Sequence, residues 1–288
     1  MLPSGQEDGM KRFTFGMLAL AFALLTPQVV RADEAAAHYN LALQLKREGK
    51  VPAAMAECEK AIKARPDYAA AHFTLGNLYR AQGDYAKAAG EYETTVKLQP
   101  KDAEAHANLG AAYVRLKKTD QGIRELEDAL ELKPENYEAR LSLGYAYKAE
   151  GDYRHAIEHL EKATALKPDD PQGWANLGVA KSKTDDKEGA IAAFKKALAI
   201  KPDDAELHFD LAVVYRRQRK TDDAIAEYQV AVQKNPRMAK AYYDLGLMYS
   251  QERRNPEARD AFQKYLDYGS NEDAASRKDA EERLKTFK

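Results

Sequence analysis

A spacing of 34 residues runs through the chain and constrains its fold more than any other feature. Stepping by that interval from Leu41 lands on Leu75, Leu109, Leu143, Leu177, Leu211 and Leu245. The residue after each leucine is Ala42, Gly76, Gly110, Gly144, Gly178, Ala212 or Gly246, and four past the leucine come Leu45, Tyr79, Tyr113, Tyr147, Lys181, Tyr215 and Tyr249. Later in each interval stand Ala54, Ala88, Gly122, Ala156, Ala190, Ala224 and Ala258. Each is followed four residues on by Cys58, Tyr92, Leu126, Leu160, Phe194, Tyr228 or Phe262. Pro66, Pro100, Pro134, Pro168, Pro202 and Pro236 close the first six intervals. One interval, Ala69–Pro100, reads as two short amphipathic helices around a Gly83-Asp84 turn. Two such helices cannot bury their apolar face alone, so neighbours must stack on them.

Each recurring residue has a steric reason. The small residue after the leucine lets the first helix approach the second, and the second-helix alanine does the same from the other side. The leucine, tyrosine and second-helix aromatic fill the remaining space. Proline ends each second helix because it lacks the amide and clashes with the preceding turn. Asp102, Asn136, Asp170 and Asp204 are placed to cap the next first helix. Pro52 and Pro256 suit the first turn of the second helices in intervals one and seven. Departures from the pattern read as weak points. Lys181 replaces a tyrosine, Asp185-Asp186 replace Gly-Asp, and Gly122 replaces alanine at roughly 1 kcal/mol of helix propensity.

The pattern W-x2-L-G-x2-Y, then A-x3-F, then P, resembles the tetratricopeptide repeat. The resemblance implies an all-α fold, a right-handed α-solenoid of stacked helix-turn-helix units. Seven units are expected at 35–68, 69–102, 103–136, 137–170, 171–204, 205–238 and 239–269. Segment 271–288, with Ala280, Leu284 and Phe287 at helical spacing, is expected to be a C-terminal capping helix that covers unit seven with one apolar edge.

Residues 1–32 stand outside the repeats. Lys11-Arg12 precede an apolar run from Phe13 to Leu25, then Pro27 as a breaker and Val30-Arg31-Ala32, the arrangement of a cleavable signal peptide. Met10 is the better start for such a leader. The expected mature protein begins near Asp33 and is exported, in a bacterium to the periplasm, without stable membrane insertion. A formal net charge of −1 provides no field that would draw the chain to nucleic acid. A single cysteine, Cys58, excludes an intrachain disulfide framework.

No phosphate-binding loop, nucleophile elbow or zinc-protease motif is present, so no enzyme activity, cofactor or metal is expected. His38, His72, His106 and His208 fall in the slot held by Trp174 in unit five, and successive members are too far apart to share a metal. They read as packing residues. His155 and His159 share a helix face without a third ligand in sequence, and Cys58 reads as a small packed hydrophobe.

Positions 4, 7, 8 and 11 of each first helix form the packing stripe, and positions 2, 6, 9 and 13 form another stripe roughly opposite. The resemblance implies that this second stripe lines a ligand groove. Position 6 carries Asn40, Thr74, Asn108, Ser142, Asn176, Asp210 and Asp244, all small and polar. The row is similar to the asparagine ladder of the O-linked N-acetylglucosamine transferase family, where amides grip a peptide backbone. An amide suits that task because it both donates and accepts. Plain polarity of an exposed face explains the row equally well. Asn77 and Tyr145 at position 9, Phe73 at position 5, and a basic rim of Arg80, Arg115, Lys183 and Arg217 complete the expected groove. Its expected occupant is a partner protein or an extended peptide in an envelope complex. A self-associating structural module and a carbohydrate-binding accessory of polysaccharide export remain as alternatives.

Overall fold

The computed structural model describes residues 27–270 and 273–287, and every regular element among them is an α-helix. The chain divides into two compact units, one ending at Leu132 and the other beginning at Lys133. The first holds α1 (Pro27–Arg47), α2 (Val51–Ala64), α3 (Ala69–Ala81), α4 (Tyr85–Leu98), α5 (Ala103–Arg115) and α6 (Thr119–Leu132). The second holds α7 (Tyr137–Glu150), α8 (Tyr153–Leu166), α9 (Pro171–Lys183), α10 (Lys187–Ile200) and α11 (Ala205–Arg217). It continues through α12 (Thr221–Lys234), α13 (Ala239–Gln251), α14 (Asn255–Tyr268) and α15 (Ala274–Thr286). Odd and even helices pair as the hairpins expected from the 34-residue spacing.

The boundaries follow from local chemistry. Each second helix from α2 to α12 stops two residues before its proline. Asp102, Asn136, Asp170 and Asp204 accept backbone N–H groups at the starts of α5, α7, α9 and α11, as expected. Asp84, Asp152 and Asp186 do the same for α4, α8 and α10. The turn within each hairpin needs one residue with positive φ. Glycine supplies it at Gly49, Gly83 and Gly151, whereas Lys117, Asp185, Arg219 and Arg253 adopt it at φ of 59–64°.

Within each unit the core lies between the two helices of a hairpin and between successive hairpins. In the first unit Cys58, Leu75 and Leu78 form one cluster, and Tyr92, Leu109 and Tyr113 another. In the second unit Phe194, Leu211, Tyr228, Leu245 and Phe262 belong to a larger cluster that α15 joins through Ala280, Leu284 and Phe287. Phe287 stacks on Phe262 with ring centroids 6.1 Å apart. The marker leucines are buried except Leu41, which is 41% exposed and which no earlier hairpin among the described residues covers.

Two readings change. Gly122 is a contact rather than a weak point, because a Cβ there would meet the Gly110 carbonyl oxygen at 2.8 Å and Val114 at 2.6 Å. Lys181 does not leave a hole; its ammonium reaches Glu161 at 2.8 Å and Asp186 at 3.7 Å. Pro27 is the first described residue of α1, and whether it also ends a preceding helix falls on residues outside the described ones. Residues 1–26 of the expected leader, with the alternative start Met10, lie outside the described residues.

Candidate partner-binding face

The position-6 residues lie on α1, α3 and α5 in the first unit, and on α7, α9, α11 and α13 in the second. Their surroundings divide them. Thr74 is buried against Tyr39, whose hydroxyl is 3.3 Å from Thr74 Oγ1. Asp244 is also buried; Tyr228 donates to it at 2.9 Å and Arg216 lies 3.4 Å away. These two brace neighbouring helices and have little surface to offer a ligand. Asn40 is exposed, while Asn108, Ser142, Asn176 and Asp210 are half-buried. Asn176 accepts from Lys148 at 2.5 Å and donates to the Gln172 carbonyl at 3.0 Å, so α7 and α9 are tied across the row. Asn108, Ser142 and Asp210 make no side-chain hydrogen bond with another described residue. Their polar atoms are open to solvent or a ligand.

Electrostatics single out Asp210. Burial pushes its carboxyl up to about 6, against the pull of Lys240 and Lys148. Burial likewise lowers Lys148, while Asp210 acts in the opposite direction. Around this pair, Tyr145 is 39% exposed beneath the Lys148 ammonium, 5.3 Å from the ring centroid. Lys240 stands 4.2 Å from the Phe209 ring centroid.

The remaining predicted residues separate as well. Phe73 is half-buried, its ring 5.9 Å from Tyr92, and Asn77 accepts the Tyr92 hydroxyl at 2.7 Å. Arg80 is exposed, and Arg115 lies 5.2 Å from the Tyr85 ring. Lys183 is exposed. Arg217 turns back to the preceding hairpin, donating to the Ser182 carbonyl at 2.6 Å, its hydroxyl at 2.9 Å and Asp185 at 3.3 Å. The basic rim is therefore partly committed to internal contacts.

A second feature escaped the sequence reading. His38, His72, His106 and His208 each place Nδ1 within 2.6–2.8 Å of a glutamate on the second helix of the same hairpin: Glu57, Glu91, Glu125 and Glu227. For His72, His106 and His208, Nε2 meets the carbonyl of Pro66, Pro100 or Pro202 at 3.0–3.1 Å. Arg140 and Trp174 reach the equivalent carbonyls of Pro134 and Pro168. Packing was expected; the glutamate contacts tie the two helices of one hairpin, and the proline-carbonyl contacts are hydrogen-bonded joints between consecutive repeats. A signal existed, since the glutamate occurs 19 residues after each of these histidines and is missing after Arg140, Trp174 and Tyr242.

The other candidate groups fall into place. His155 pairs with Asp152 at 2.6 Å, and His159 stacks on Tyr147 beside Arg140. Burial and the Arg140 charge push His159 down to about 4. Cys58 is fully buried, its thiol raised to about 11 by desolvation. No helix among the described residues is long and apolar enough to cross a membrane.

These helical hairpins and their repeating contacts define a tetratricopeptide repeat protein. The chain belongs to the family of the cilia and flagella-associated protein 70 C-terminal domain, whose model matches residues 28–281. Among solved structures, a MamA crystal structure is similar at 29% identity over 57% of this chain and 95% of its own, with a TM-score of 0.55. PilF of Pseudomonas aeruginosa aligns over 74% of this chain and 97% of its own at 18% identity, TM-score 0.64. YrrB, described as a TPR protein with an unusual peptide-binding site, aligns over 64% of this chain and 95% of its own at 20% identity, TM-score 0.55. A search of curated proteins gives no match.

Proposed function

We propose that this chain is a non-catalytic exported adaptor that holds an extended segment of a partner protein against the position-6 face of the first helices in its second unit. The observation that carries the proposal is the pair of half-buried, hydrogen-bond-unspent side chains Ser142 and Asp210, beside the oriented amide of Asn176 that lies between them in the row. Half-burial gives such groups more strength toward an incoming donor or acceptor than full exposure would. Each peptide group of an extended segment offers one of each. The fold supports this reading because tetratricopeptide proteins are typically interaction scaffolds, and YrrB shows that the same fold can host a peptide-binding site.

Export is supported by Lys11-Arg12 and the apolar run Phe13–Leu25, and a role in assembling an envelope complex follows from that location. The test is a paired substitution, Ser142→Ala with Asp210→Ala, in the full-length chain. Partner capture from the envelope fraction should fall at least tenfold while far-UV circular dichroism is unchanged. Undiminished capture would remove the basis for the proposal.

A further inference from the structure

The first unit contains a set of metal-ligating side chains that the repeat pattern does not require. His106 on α5 and Glu125 and Asp128 on α6 each bring a ligand atom within 4.8 Å of the other two. No metal was expected from the sequence, because histidines of successive repeats are too far apart to share one. The structure instead draws the additional ligands from the second helix of the same hairpin.

The geometry of His106 supplies the second requirement of a metal site. Nε2 lies 3.1 Å from the Pro100 carbonyl oxygen, which can only accept, so that nitrogen carries a proton. Nδ1 faces the Glu125 carboxylate at 2.8 Å. A lone pair and a carboxylate oxygen repel unless a cation or a second ring proton stands between them. A backbone carbonyl that orients the far ring nitrogen is the usual support of a metal-bound histidine. His106 is buried, Glu125 is half-buried and Asp128 is exposed, which leaves an approach from solvent.

The repeats provide their own comparison. His72 with Glu91, and His208 with Glu227, reproduce the same contacts to carboxylate and proline carbonyl. At the position equivalent to Asp128 they carry Thr94 and Val230, which offer no carboxylate. Of these three hairpins, only the third brings a second carboxylate within reach of the histidine.

We propose that His106, Glu125 and Asp128 form a binding site for a divalent transition-metal ion, with Zn2+ the best fit. One imidazole nitrogen and two carboxylates match the borderline softness of zinc, and three protein ligands leave a fourth position for water or a partner's donor. Binding joins α5 to α6 through the metal.

The test is calorimetric titration of the full chain with Zn2+, together with the visible absorption of the Co2+ form. Wild type should bind one equivalent and give a four-coordinate Co2+ band. Asp128→Asn changes an exposed side chain and should leave helicity intact while weakening Zn2+ by about 10-fold or more. His106→Gln should abolish the Co2+ band, and His208→Gln should retain it. Absence of the band in wild type, or equal Zn2+ affinity in wild type and D128N, would overturn the site.

Discussion

Gly110 and Gly122 face each other across the third hairpin so closely that a Cβ on either would meet the other's carbonyl oxygen at 2.7–2.8 Å. A methyl group there strikes backbone, which cannot swing aside. Helix propensity alone favours Gly122→Ala by about 1 kcal/mol. Overpacking of this kind costs about 1–3 kcal/mol, so the clash should win. The expected outcome is a G122A chain that denatures at lower urea concentration than wild type, measured by circular dichroism.

The intra-hairpin turns make the opposite prediction. Arg219 and Arg253 occupy the position that Gly49, Gly83 and Gly151 fill elsewhere, each at φ 59°. Left-handed backbone costs a non-glycine residue about 1–2 kcal/mol, and glycine gives back about 0.5–1 kcal/mol through the flexibility of the unfolded chain. Arg219→Gly and Arg253→Gly should each stabilise by about 0.5–1 kcal/mol. Urea titration of the single variants measures this.

Asp210 predicts a pH dependence. Its folded-state value, about 6, lies above the ordinary 3.8, so the folded chain binds a proton more tightly than the unfolded chain does. The favourable contribution is complete below the ordinary value and is lost as pH rises through about 6. Replacing Asp210 with asparagine should therefore stabilise the protein at pH 7.5 relative to wild type, with the advantage shrinking toward pH 4. Thermal melts of both chains across that range provide the measurement.

Cys58 predicts chemical silence. With the side chain fully buried and the thiol raised to about 11, neither access nor thiolate is available at neutral pH. A disulfide reagent should leave it unmodified in buffer and modify one thiol per chain in denaturant.

Much of the fold was legible because steric demands repeat. Leu75, Gly76, Ala88, Tyr92 and Pro100 recur in kind at a fixed interval, since each hairpin must bury the same face against its neighbour. The caps at Asp102, Asn136, Asp170 and Asp204 were legible for the same local reason. The face opposite was read less well because its residues answer to neighbours beyond their own helix. Nothing local distinguishes Thr74, buried under Tyr39, from Ser142, which remains open. Arg217 looked like a rim charge and proved to be a brace on Ser182. The histidine joints were missed because their partners lie 19 residues away, outside any helical period.

The central claim is that the position-6 face receives a partner's extended segment. Site-specific photo-crosslinking in the native envelope tests it most directly, with the crosslinker at Ser142 or Asp210 on first helices of the second unit and at Lys162, an exposed residue of α8. The account predicts that Ser142 and Asp210 capture one and the same partner, that mass mapping places the crosslinks in a single extended segment, and that Lys162 captures none of it. Equal capture from Lys162, or crosslinks scattered over a folded surface of the partner, would contradict the account.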